Sequence, residues 1–243
     1  MNLYTYASPV NFYHLAGKLI PWFAWGAGIL TLWGLYVGFF LAPTDFQQGE
    51  AYRIIFIHVP AAWMSMFIYL VMAFWGAIGL AFNTRLSFMM ARALAPTGAM
   101  FTFVALWTGA WWGKPMWGAW WVWDARLTSE LILLFLYVGI IALWAAIDDI
   151  KRGDRAGSLL TLIGAINVPI IYFSVKWWNT LHQGASIKPS GTSMDALMLE
   201  GMLVLAFAAW FYTIAVALVR VRRIILERER HTDWVKAILE KGN

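Results

Sequence analysis

Seven of the 17 tryptophans crowd into positions 107 to 123: Trp107, Trp111, Trp112, Trp117, Trp120, Trp121 and Trp123. The densest stretch reads Trp117-Gly-Ala-Trp-Trp-Val-Trp-Asp-Ala-Arg-Leu-Thr128. Two of only four histidines stand in comparable settings: His58 in Ile57-His-Val-Pro-Ala-Ala-Trp63 and His182 in Trp177-Trp-Asn-Thr-Leu-His-Gln-Gly184. Neutral imidazole ligates metals through whichever ring nitrogen keeps its lone pair, and indoles offer flat apolar surface. If the segment is helical, Trp117, Trp120, Trp121 and Asp124 follow the i, i+3, i+4, i+7 rule and share one face. That gives an aromatic shelf with an acid at one end. An aromatic belt at the headgroup level explains two or three tryptophans at a helix end, not this density.

The ligand complementary to such a shelf is large, flat and apolar, with charge at its edge. A porphyrin fits, and its iron accepts axial imidazole. Its propionates favour cations, for which Arg53, Lys114, Arg126, Lys176 and Lys188 are candidates. Each of these residues also has an ordinary alternative. A histidine can simply be hydrogen-bonded at an interface, and a cation can be solvated or bound to lipid phosphate. Arg126 can pair with Glu130 at i+4. Asp124 can be the N-cap of the next helix, or cap it and orient a ligand at once.

The elements that must position these residues follow from the charges. The chain has 243 residues, of which 61% are hydrophobic and 13% charged, against about 45–50% and about 25% in soluble domains. Six runs lack Asp, Glu, Lys and Arg: 26 residues after Lys18, 31 after Arg53, 21 after Arg92, 17 after Glu130, 20 after Arg155 and 19 after Glu200. A membrane-spanning helix needs about 20 mainly apolar residues. The expected fold is therefore an all-α integral membrane protein, one domain of six transmembrane helices at roughly 19–42, 60–82, 88–111, 127–147, 159–175 and 197–219. A basic tail, 220–243, follows. The opening residues are too polar for a span and lack the form of a signal peptide. His58 is expected to open the second helix, with Pro60 in its first turn.

An even number of spans puts both termini on one side. That side holds thirteen of the 18 Lys and Arg, and the other holds Arg53, Lys114, Arg126, Lys176 and Lys188. Positive residues stay cytoplasmic, so the termini are expected inside and both histidines and the tryptophans outside. Arg220 to Arg230 then lies where anionic lipid favours it, a better fit than nucleic acid. Arg92 is read as snorkelling or contacting a partner subunit.

Other chemistry is mostly excluded. The chain has no Cys, so it makes no disulfide, thiolate metal site, iron–sulfur cluster or C-x-x-C-H haem attachment. Gly113-Lys114-Pro115 lacks the rest of a P-loop, so no ATP site is expected. No H-E-x-x-H motif or carboxylate pair suggests hydrolysis.

The segment Trp117 to Thr128 resembles the signature of the tryptophan-rich haem-handling family of cytochrome c biogenesis. With six spans, short loops, His58 and His182, the chain is similar to the small CcmC-type haem-delivery subunits within it. The larger haem ligases of that family have more helices and extra His pairs. The resemblance implies a bacterial cytoplasmic membrane protein that holds non-covalent haem b at the periplasmic face. His58 and His182 would be its axial ligands. The haem site would also include Trp112, Trp117, Trp120, Trp121, Trp123, Asp124, Arg126 and Arg53. It implies delivery to the haem chaperone CcmE beside CcmD and the ABC transporter subunits CcmA and CcmB, with no ATPase or enzymatic activity in this chain. Two other classes remain open: a membrane b-type cytochrome passing electrons, and a structural subunit of an ABC transporter complex without haem.

Overall fold

The computed structural model describes residues 5, 7–178, 180–182, 187–188 and 191–241. Eight α-helices account for most of them: α1 Pro9–Tyr36, α2 Ile55–Phe82, α3 Arg85–Trp117, α4 Ala125–Ala146, α5 Ile150–Gly164, α6 Asn167–Trp177, α7 Ala196–Arg228 and α8 Asp233–Lys241. A two-residue antiparallel pair, β1 (Ile187–Lys188) and β2 (Gly191–Thr192), lies between α6 and α7. Six helical segments are long and apolar enough to cross a membrane, with α5 and α6 together making the fifth.

The helix ends differ from expectation in instructive ways. α1 starts at Pro9 rather than Leu19, because Ser8 caps it by accepting the Asn11 N–H at 3.4 Å. Its far end widens into a π turn, Val37–Leu41. α2 begins at Ile55, directly after the 3-10 turn Glu50–Ile54. His58 therefore closes the first turn of α2, and Pro60 lies in the second. The fifth span breaks at Ala165 and Ile166, where Asn167 Nδ2 donates to the Ser129 carbonyl of α4 at 2.8 Å.

The tryptophan segment is not a helix. α3 stops at Trp117 because Gly118 adopts φ +77, the left-handed C-cap that favours glycine. α4 starts only after Asp124, whose Oδ1 accepts the Leu127 N–H at 2.8 Å. The residues between carry no helical assignment, so the helical face proposed for Trp117, Trp120, Trp121 and Asp124 does not form.

Two packed regions hold the site. Met64, Ile68, Tyr69 and Met72 of α2 pack with Leu94 of α3, Leu133, Tyr137 and Ile140 of α4 and Ile171 of α6. Nearer the histidine end, Ala42, Tyr52, Phe56, Trp112, Met198 and Met202 tie the α1–α2 connection to the ends of α3 and α7. Gly38 makes this closure possible: a Cβ there would stand 2.7 Å from the Phe56 ring. Small residues let membrane helices approach closely.

Candidate functional site

His58 and His182 face one another. Their ring centroids are 6.4 Å apart with planes inclined by 35°, although one sits on α2 and the other on the irregular segment after α6. They share a cavity of about 80 Å³ with Gln48, Trp112, Met116, Trp117, Arg126 and Glu130.

Each imidazole is held differently. His58 Nδ1 lies 3.0 Å from Thr108 Oγ1, and that hydroxyl donates to the Val104 carbonyl at 2.6 Å. With its proton committed to the carbonyl, Thr108 can only accept from His58. Nδ1 therefore carries the hydrogen and Nε2 keeps its lone pair, the arrangement found where a histidine ligates a metal. Trp112 packs edge-on against the His58 ring at 5.5 Å, and its Nε1 donates to Gln48 Oε1 at 2.9 Å.

His182 is held through its main chain. Its N–H donates to Thr180 Oγ1 at 3.1 Å, and the Thr180 hydroxyl donates to Asp124 Oδ2. Asp124 thus caps α4 with one oxygen and orients the His182 segment with the other. Trp117 lies 6.4 Å from the His182 ring. Arg126, half-buried, donates from Nη1 to the Ile171 carbonyl at 2.9 Å. Arg126 and Glu130 form no ion pair among the described residues; Glu130 instead accepts from Ser65 Oγ at 2.7 Å.

The remaining sequence candidates lie elsewhere. Arg53 turns away to cap the π turn, donating to the carbonyls of Gly38 at 2.6 Å and Ala42 at 3.1 Å and pairing with Glu50. It does not line the cavity. Trp120 and Trp123 are 48% and 75% exposed; Trp120 packs on Trp111 and Trp123 on Trp121. Together with Trp107, Trp177 and Trp178, also exposed, they form an indole rim around the histidine end. Lys114 Nζ caps the end of α3 on the Gly118 carbonyl at 3.1 Å. Lys176 sits over the Phe173 ring, and the Lys188 side chain lies outside the described residues. Sequence reading missed Gln48, Thr108, Glu130 and Thr180 as site residues. Threonine carries no signal of its own at such positions; only the fold brings Thr108 to His58 across 50 residues.

The donor set fits one metal atom held between two imidazoles. A metal–nitrogen bond of about 2 Å on each side, plus roughly 1 Å from each nitrogen to its ring centre, puts the centroids roughly 6 Å apart. The space itself is that of a few water molecules at about 30 Å³ each. A macrocycle around such a metal requires the Met116 and Trp117 side chains or the His182 segment to part.

The profile of the CcmC family, described as heme exporter protein C, matches residues 2–236. The chain is 48% identical to heme exporter protein C of Escherichia coli strain K12 over 242 residues, covering 99% of this chain and 98% of that one. It is 49% identical to the protein of that name in Bradyrhizobium diazoefficiens over 229 residues, 94% of this chain and 87% of that one. A putative cytochrome c biosynthesis ccmC-like mitochondrial protein of Marchantia polymorpha is 46% identical over 209 residues, 86% of this chain and 88% of that one. A helical membrane scaffold that closes over two facing imidazoles thus carries a family match along nearly its whole length, and the chain belongs to the heme exporter protein C family.

Proposed function

We propose that this chain binds haem b non-covalently and hands it to the haem chaperone CcmE during c-type cytochrome biogenesis. The site is at the periplasmic face of the bacterial cytoplasmic membrane, with both termini cytoplasmic. CcmA, CcmB and CcmD are its partners, and it has no catalytic or ATPase site of its own. The observation that carries this reading is the 6.4 Å separation of the His58 and His182 rings, the spacing of two axial ligands on one iron. The family match and the excess of Lys and Arg on the terminal side support it.

In this reading His58 and His182 supply the two axial nitrogens and leave the iron no open position. Thr108 keeps the His58 lone pair on the side facing the cavity. Trp112 and Trp117 back the two imidazoles and exclude water. Arg126 has N–H groups beyond the one given to Ile171 and can pair with a propionate. The exposed Trp120 and Trp123, with Trp121 behind, form the lip that meets the chaperone, and Asp124 holds that lip and the His182 segment in register. Release needs one imidazole to leave the iron.

The absorption spectrum of the purified protein tests this. A Soret band with low-spin bis-imidazole features is expected. It should be lost or converted to a five-coordinate spectrum in His58→Ala and in His182→Ala. Unchanged haem content in the double variant would refute the axial assignment. A protein without a Soret band would leave a structural subunit. A reversible redox couple linked to quinone would favour an electron-carrying cytochrome.

A further inference from the structure

At the end of the bundle opposite the histidines lies a groove of about 600 Å³, between α3, α4, the start of α5 and the end of α7. Its floor is apolar, with Ile141, Trp144 and Ile224; its rim is cationic, with Arg92, Arg228 and Arg230. Arg92 was expected to snorkel or meet another subunit, but its partner is within the chain. Its Nε donates to Asp154 Oδ1 at 2.7 Å, and its guanidinium lies 5.0 Å from the Trp144 ring centre. Arg228 grips the same carboxylate with two bonds of 2.8 Å. Asp154 is 4% exposed, so one buried carboxylate fixes two guanidiniums and leaves one positive charge uncompensated. Glu227 also lines the groove, but it pairs with Arg223 at 2.9 Å. Arg230 adds a further cation at the rim.

An uncompensated charge over an apolar floor, at a helix-end level where headgroups lie, selects an anionic amphiphile. Basic pockets between membrane helices bind anionic headgroups in this way. We propose that this groove is a specific site for one anionic phospholipid. Its phosphate meets the Arg92, Arg228 and Arg230 guanidiniums, and its glycerol and upper acyl carbons lie against Trp144, Ile141 and Ile224. Asp154 preorganises two of the three cations, which sets the site apart from diffuse attraction to a charged surface. The site does not depend on the haem reading.

Native mass spectrometry of the full chain, released from mixed micelles of phosphatidylglycerol and phosphatidylcholine, tests it. One phosphatidylglycerol per chain is expected to persist, with phosphatidylcholine lost. Arg230→Gln leaves the Asp154 cluster intact and should weaken retention about fivefold; Arg92→Lys with Arg230→Gln should weaken it further. Circular dichroism confirms that each variant is folded. Equal retention of both lipids overturns the proposal, as does retention unaffected by Arg230→Gln. Displacement of the lipid by millimolar inorganic phosphate would reassign the groove to free phosphate, and haem in the lipid's place would reassign it to the porphyrin. Either result overturns the lipid site while leaving the histidine site to its own test.

Discussion

Replacing Thr108 by valine removes the hydroxyl 3.0 Å from His58 Nδ1 while keeping the shape of the side chain. In the native arrangement the Thr108 proton goes to the Val104 carbonyl, so its oxygen is an obligatory acceptor for the His58 N–H. Without it the imidazole loses one of the contacts that orient it and favour hydrogen on Nδ1, and the tautomer with the hydrogen on Nε2 cannot ligate through Nε2. Loss of an outer-shell partner of a metal-bound histidine typically costs about 10–100-fold in affinity, or roughly 1.4–2.7 kcal/mol. Haem titration followed at the Soret band should therefore show Thr108→Val weakened by about that factor. Thr108→Ser restores the hydroxyl and should recover most of it. A mere packing defect would behave differently, because serine, smaller than valine, would then do worse. Wild-type affinity in the valine variant would refute the tautomer argument, and valine and serine variants equally impaired would do the same.

Asp124→Ala removes both an N-cap and the anchor of Thr180. Thermal unfolding should report a loss of about 1 kcal/mol from the cap, and haem titration should report weaker binding through His182 at a level that Asp124→Asn partly restores. Gly38→Val places a branched side chain where even a Cβ would stand 2.7 Å from the Phe56 ring. Overpacking of about 1–3 kcal/mol is expected, seen as a lowered Tm in detergent; an unchanged Tm would mean that the α1–α2 closure is looser than described.

Much of the architecture is legible because lipid imposes it. Uncharged runs of sufficient length read as spans, and six helical segments long and apolar enough to cross a membrane form there. What the sequence hides is decided by competition for local partners. The tryptophan spacing suggested one helical face, yet Gly118 and Asp124 are a stop signal and a start signal only a few residues apart. Their backbone chemistry overrides the periodicity between them. Arg53 lies close to His58 in sequence and looked like a ligand's counter-charge. The widened last turn of α1 leaves the Gly38 and Ala42 carbonyls needing donors, and the nearest guanidinium is drawn to them. The break in the fifth span has a signal in the sequence that the charge-free run conceals: Pro169, just past it, has no N–H to give the Ala165 carbonyl. Asn167 then reaches the Ser129 carbonyl, a contact that exists only once α4 is in place. Span order alone leads one to expect His58 and His182 at a common end of the bundle, whereas their approach to 6.4 Å, and the roles of Thr108 and Thr180, become recognisable only when the helices meet.

The two imidazoles are mounted unequally, and this bears on how a proposed carrier lets go. His58 belongs to a helix packed along its length, and its ring is fixed by Thr108 and Trp112. His182 lies outside any helix, and its backbone is held by a relay of two side chains, Thr180 and Asp124, to the start of α4. Moving His182 away from the cavity acts on the bonds from its N–H to Thr180 and from Thr180 to Asp124, while moving His58 would act on the packing of α2 against α3. The same relay begins at Asp124, which ends the tryptophan lip. A partner docking on Trp120 and Trp123 would press on the residue that holds His182 in place. In the proposed function, contact with the chaperone and the placing of His182 are thus coupled through a single carboxylate.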